Sequence, residues 1–157
     1  MTHCAPEWSP RDGGCECGAI RFRLSAPPLF VHACHCHGCQ RATGSAFILS
    51  MFVCVEDFQL SQGEPALTEV TGGSGEMRQS YHCMACGSLV FGTIRQRERV
   101  LRPGCFDQTD WFTVGAHIWT ESKQPWLTLP DNTLAFPQSY ARENIWPAEA
   151  LARLVQQ

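Results

Sequence analysis

Seven of the ten cysteines in this chain fall into three tight clusters. The first is Gly14-Cys15-Glu16-Cys17-Gly18, the second Cys34-His35-Cys36-His37-Gly38-Cys39, and the third His82-Cys83-Met84-Ala85-Cys86-Gly87. Thiols so spaced are ligands for a soft or borderline metal ion, zinc above all. A closed structural zinc site takes about four ligands, whereas a catalytic one takes about three and keeps a position open. Seven thiols therefore divide as four and three, which predicts two zinc ions per chain, one of them with room for chemistry.

Two cysteines one apart reach the same ion only from a tight turn, and the glycines beside Cys15, Cys17 and Cys86 give the backbone that freedom. Cys15 and Cys17 are accordingly expected to join Cys83 and Cys86 in a four-thiolate structural site. Such a site closes a long loop, and its metal stabilises the ordering of that loop. Cys34, Cys36 and Cys39 would hold the second ion. If that segment is extended, His35 and His37 project away from the side shared by Cys34 and Cys36. They are then supporting or surface groups, with the role of fourth ligand as the alternative. Cys4, Cys54 and Cys105 are not assigned to metal; Cys54, in the apolar run from Ile48, reads as a small buried hydrophobe.

Cysteine-rich chains that do not bind metal carry different sequence marks. A disulfide framework goes with a secreted chain, but Met1 to Pro10 has no apolar core, and no run approaches the ~18 apolar residues of a membrane span. The expectation is a cytoplasmic chain with reduced thiols. A thioredoxin-like reading of Cys83-Met84-Ala85-Cys86 needs a βαβ pattern, and the surroundings read as strands.

The elements that must position these residues are short. Alternation in Ala19–Ser25 puts Ile20, Phe22 and Leu24 on one side and Arg21 and Arg23 on the other, a half-buried strand stopped by Pro27-Pro28. Further strands are expected at Ala46–Val53, Ala66–Thr71, Gln79–Cys83, Ser88–Ile94 and Trp111–Ala116. Residues 71–76 read as a hairpin tip. One helix is expected over about 147–156, headed by Pro147, with Leu151, Leu154 and Val155 as its apolar stripe. A short helical turn through Gln40–Thr43 would aim backbone N–H groups at the second metal.

With 157 residues, 44% of them hydrophobic, the chain has the size of one domain with a real core, residues 1–157. A net charge of −3 argues against a nucleic-acid-binding surface. Eleven of the twelve cationic residues are arginines, which suit small carboxylate ligands.

The ordered series of these motifs resembles the glutathione-dependent formaldehyde-activating enzyme family, within the centromere protein V superfamily. After the cysteine clusters it continues through Pro103-Gly104-Cys105-Phe106-Asp107, His117-Ile118-Trp119, Pro125-Trp126 and Leu129-Pro130-Asp131, and it runs from about residue 13 to 137. The resemblance implies a mainly β, antiparallel β-tent fold that binds zinc. It implies a structural zinc on Cys15, Cys17, Cys83 and Cys86 and a second zinc on Cys34, Cys36 and Cys39. It also implies a carbon–sulfur lyase that condenses glutathione with formaldehyde. The chain departs from the pattern at Cys105-Phe106, where the family commonly has a small or hydroxyl residue and leucine before the aspartate. If this stretch lines the pocket, it changes the pocket's shape.

Three thiolates leave zinc a weak Lewis acid with an affinity for a fourth, soft ligand, so a small thiol such as glutathione is expected to dock there and add to a small aldehyde. Asp107, His117, His35 and His37 are the candidate proton carriers. A zinc-stabilised protein-binding module without catalysis is the alternative, since five tryptophans could form an exposed patch. A zinc hydrolase is a further alternative, weakened because three thiolates make bound water a poor acid. Partners are thus a thiol and an aldehyde, without nucleic acid or membrane, and a homodimer through the tail helix or a sheet edge is open.

Overall fold

The computed structural model describes residues 8–71 and 75–155, so Cys4, residues 72–74 of the expected hairpin tip and the last two residues, where the expected C-terminal helix ends, lie outside it. In chain order the strands are β1 (Arg11–Gly14), β2 (Arg21–Leu24), β3 (Phe30–Cys34), β4 (Ile48–Cys54), β5 (Phe58–Gln62), β6 (Ala66–Thr71), β7 (Met77–His82), β8 (Leu89–Thr93), β9 (Glu98–Leu101), β10 (Ala116–Ile118) and β11 (Leu134–Ala135). Helix α1 (His37–Thr43) lies between β3 and β4, and α2 (Ala148–Val155) closes the described chain. The fold is mainly β with a short C-terminal helix, and among the described residues no helix is long and apolar enough to cross a membrane.

A three-stranded sheet, β1-β2-β5, faces an eight-stranded one ordered β11-β10-β3-β4-β9-β8-β7-β6. All pairings are antiparallel except that β10 runs parallel to both β3 and β11. The alternation in β2 has the expected consequence: Ile20, Phe22 and Leu24 are buried against Val31, Met51, Val53 and Leu101 of the larger sheet. Phe106 joins them, edge-on to Phe22 at 5.1 Å and to Trp111 at 5.0 Å.

The opposite face of the larger sheet is covered in part by the C-terminal segment. Trp146 and Ala150 pack on Leu29, Phe52, Cys54 and Val100, and Cys54 is fully buried there. Arg153 fastens α2 by donating to Pro27 O and to Asp57 Oδ2, each at 2.7 Å.

One expected strand is displaced. Residues 111–115 are irregular, and the strand starts only at Ala116. Trp111, Phe112 and Val114 all pack against the same core rather than alternating between two environments. Gly115 then brings its backbone N–H to Val31 O at 2.9 Å, passing so close to the Phe30 ring that a Cβ would lie 2.6 Å from it. β1, β3, β5, β9 and β11 had no strand assigned from sequence; β1 contains two glycines, and β3 lies between a Pro-Pro pair and the cysteine cluster.

Candidate metal centres

The four-cysteine centre is built from two knuckles. Cys15-Glu16-Cys17-Gly18 turns back before β2, with Gly18 N–H donating to Cys15 O and Gly18 at φ 77°. Cys83–Gly87 turns back after β7, with Gly87 N–H donating to Cys83 O and Gly87 at φ 74°. Both glycines sit in the left-handed region that a side chain disfavours. Their turns bring Cys15, Cys17, Cys83 and Cys86 together with every sulfur within 4.8 Å of the others.

The spacing fits zinc. A Zn–S bond of about 2.3 Å puts the sulfurs of a tetrahedron roughly 3.8 Å apart. The Cys15–Cys17 and Cys17–Cys83 sulfurs are 3.6 and 3.7 Å apart, and all four thiols are free. Ile20 N–H donates to the Cys15 sulfur at 3.2 Å. Hydrogen bonds from Ser88 lead the influences that hold the Cys86 thiol down, at about 6, so it is ready to act as a thiolate ligand.

The second centre lies on the opposite side of the larger sheet from its buried core. Cys34 ends β3, Cys36 is the N-cap residue of α1, and Cys39 lies in its first turn, all within 4.8 Å of one another. The Cys36 sulfur accepts from Cys39 N–H at 3.4 Å, so the helical turn expected at Gln40 begins three residues earlier. Arg78 of β7 reaches across to donate to the Cys39 sulfur at 3.6 Å. The Cys39 thiol is pulled down to about 5 by a hydrogen bond from Cys34, with Arg78 adding to the effect against the opposing cost of burial.

These three cysteines line a cavity of about 300 Å³. Its walls carry Arg78 and Arg95, the apolar Phe52 and Ile118, and the aromatic Trp119, Tyr140 and Trp146. Trp119 has φ 57°, the sole non-glycine left-handed residue among those described, and such strain costs about 1–3 kcal/mol. Strain of that kind concentrates at functional sites. Trp146 Nε1 donates to Tyr140 Oη at 2.9 Å, and Tyr140 Oη is 3.0 Å from His32 Nδ1. With its lone pair taken by Trp146, Tyr140 can give its proton to His32 Nδ1, which leaves the His32 hydrogen on Nε2. Burial, followed by the charge of Arg102, holds His32 at about 3, and burial pushes Tyr140 up to about 12, so both are neutral at pH 7.

Period-two alternation decides which expected residues reach this cavity. Cys34 pairs with Ile118 in the β3/β10 register, and both line it; Ala33 pairs with His117, which therefore points to the other face. There His117 Nδ1 lies 2.9 Å from His35 Nε2, with both rings buried. Burial lowers both histidines, His35 to about 4 with further help from His117 and Lys123. His37 is exposed. Asp107 is bound by Arg21 beside β2, whose guanidinium holds its carboxyl below the ordinary range. None of these four lines the cavity. Cys105 packs near Leu89 O, and Phe106 lies in the core, so their departure from the family pattern alters packing rather than the cavity wall.

The cavity groups that sequence reading passed over are His32, Arg78, Tyr140, Arg142 and Trp146. His32 carried a signal, because it stands two before Cys34 and so shares its face. The others come from distant segments. Arg142 Nη1 is 2.8 Å from Glu98 Oε1, an inward pair whose side chains are only 18% and 5% exposed, and its guanidinium lies 4.5 Å from the Trp146 ring centre. Arg142→Met should leave the Glu98 carboxylate buried without a partner. Urea unfolding is then expected to show a loss of about 3–5 kcal/mol; a loss under ~1 kcal/mol would mean the pair is effectively solvated.

The sequence model of the glutathione-dependent formaldehyde-activating enzyme family matches residues 10–122. That stretch holds both centres but stops short of Ser139–Trp146, which wall the cavity. A crystal structure of a Rhodobacter sphaeroides protein aligns over 80% of this chain and 98% of its own, with a TM-score of 0.47 and 16% identity.

Proposed function

The chain belongs to the glutathione-dependent formaldehyde-activating enzyme family, and we propose that it joins a small thiol such as glutathione to a small aldehyde, and parts them again, at the Cys34, Cys36 and Cys39 centre. In this reading Cys15, Cys17, Cys83 and Cys86 hold a structural zinc and the other three cysteines hold a second one. The single observation that carries it is that the three-thiol cluster opens onto a cavity, while its counterpart has a complete set of four.

When bound there, zinc supplies a soft centre that takes a thiol as its thiolate near neutral pH. The remainder falls to side chains. Cys34, Cys36 and Cys39 would hold the ion at the cavity wall, and Arg78, donating to the Cys39 sulfur, would offset their negative charge. Phe52, Trp119 and Trp146 exclude water, which strengthens every polar interaction inside. The sulfur–carbon bond forms as the carbonyl π bond opens, and the proton lost by the thiol ends on the new hydroxyl; nothing is oxidised or reduced. With the Tyr140 proton committed to His32 Nδ1, the donor for that oxygen is the neutral His32 through Nε2–H, held in that tautomer by Tyr140. It takes the place expected for His117 and Asp107, which lie outside the cavity.

Proton nuclear magnetic resonance of glutathione and formaldehyde at equilibrium reports their exchange with the S-hydroxymethyl adduct. The chain should speed this exchange well above the spontaneous rate. Exchange at the spontaneous rate with glutathione and with other small thiols would refute the reading. A protein-binding module gains little from the structure: Trp146 is buried, Trp119 lines the cavity, Trp8 and Trp111 pack on each other at 5.4 Å, and only Trp126 stands exposed. A cytoplasmic setting belongs to the same proposal, because metal-binding thiols must stay reduced. A homodimer would use the β6 edge, where Leu67 and Val70 are exposed, since Leu151 and Leu154 of α2 pack on their own sheet and of the expected stripe Val155 alone is left exposed.

A further inference from the structure

A cation with no carboxylate partner lies on the sheet face that carries the three-cysteine cluster. Arg102 follows β9, and its Nη1 donates to Leu49 O and Ser50 Oγ, each at 3.2 Å. Its Nε is sealed from solvent without a partner, and Arg102 takes part in no ion pair among the described residues. Arg102 as a whole is half-buried, and negative charge on the same face would offset the cost of holding its guanidinium there.

The register shows which groups share its face. Met51 opposes Leu101, so Ser50 and Arg102 are next in line and share a face; Ser50 opposes His32, on the face that also carries Cys34. In the neighbouring row Val100 opposes Gly92 and Gly92 opposes Ser80, so the same face runs on to β7, where Arg78 shares it. Small residues make the trough: Ser50 and Ser80 are buried, and a Cβ on Gly92 would lie 3.6 Å from Arg102 Nη2. Arg78 meets the cluster from the far side, at the Cys39 sulfur. Burial brings the Arg102 guanidinium down to about 10, with Cys39 and Cys34 acting against it and Arg78 adding to it.

We infer that Arg78 and Arg102 are positioning residues that supply the counter-charge by which the Cys34, Cys36 and Cys39 centre accepts a fourth, anionic thiolate. The inference rests on the proposed function and deepens it. Three thiolates around a dication leave one negative charge, and a fourth thiolate makes it two. A site with that balance would repel its own ligand; two guanidinium groups cancel it. A neutral fourth ligand needs no such help.

The discriminating experiment uses the cobalt-substituted full chain, with 2-mercaptoethanol as a ligand whose only charge is the bound thiolate and imidazole as a neutral one. Thiolate binding is read from the sulfur-to-cobalt charge-transfer band, and imidazole from the ligand-field bands. Arg102→Met and Arg78→Gln should each weaken 2-mercaptoethanol on the order of tenfold or more. Imidazole should change by less than about twofold in the same variants. Arg102→Lys should recover most of the thiolate affinity. If Arg102→Met fails to fold, Arg78→Gln, at a half-buried position, decides alone. Equal weakening of both ligands, or of neither, overturns the inference while leaving thiol binding intact. A wild-type protein that gains no charge-transfer band at a Cys34-dependent metal overturns the functional proposal itself, and this inference with it.

Discussion

Cys83→Ala is expected to give a chain that no longer folds, with its four-cysteine zinc lost and its urea transition abolished. The two knuckles sit 66 residues apart in sequence, as measured from Cys17 to Cys83, and tie the turn before β2 to the end of β7. Metal binding in structural zinc sites amounts to about 10–16 kcal/mol of apparent free energy, and that energy is folding energy. The net stability of a domain is only about 5–15 kcal/mol, so the core cannot absorb such a loss. Cys83 is also buried among Val90, Phe91 and the other core residues, so the vacancy would open inside the sheet packing. Far- and near-ultraviolet circular dichroism with a zinc count would show it. A folded Cys83→Ala chain losing no more than ~3 kcal/mol would mean that the apolar core alone carries the fold.

The second large effect concerns chemistry without collapse. Cys36→Ala should lower the catalysed thiol–aldehyde exchange on the order of 10³-fold or more, by unmaking the ligand set. The fold should survive, because Cys36 lines the cavity and its structural duty is one N-cap contact to Cys39 N–H. Losing a cap costs about 1 kcal/mol. Cys36→Ser separates the two duties: a hydroxyl can cap α1 but is a poor soft ligand. The serine variant should therefore unfold at a higher temperature than the alanine variant, by the cap's share of the stability, while remaining as inactive. Activity retained in either would remove Cys36 from the centre.

How much of this was legible in the sequence depends on the range of the information. Thiol spacing and the flanking glycines are local, and they brought out both cysteine groups. The alternation of Ile20, Phe22 and Leu24 is local too, as is the helix headed by Pro147. The face of His117 was not legible, because it depends on β10 pairing in parallel with β3, a register that no local pattern announces. His117 stands beside Ile118 in sequence yet faces away from it. The cavity wall was least legible: Tyr140, Arg142 and Trp146 lie in a segment without periodicity, and their roles come from packing against Phe30, Phe52 and Glu98. Arg102 is one arginine of eleven in the sequence, and what sets it apart is the trough of small residues around it.

Native mass spectrometry of the purified chain, with and without excess glutathione, addresses the two-centre division most directly. Two zinc ions and a retained glutathione adduct are expected, with Cys34→Ala losing one ion and the adduct together while keeping the other ion. A single tightly held zinc, indifferent to glutathione and to Cys34, would contradict the open thiol-accepting centre and leave the structural site alone.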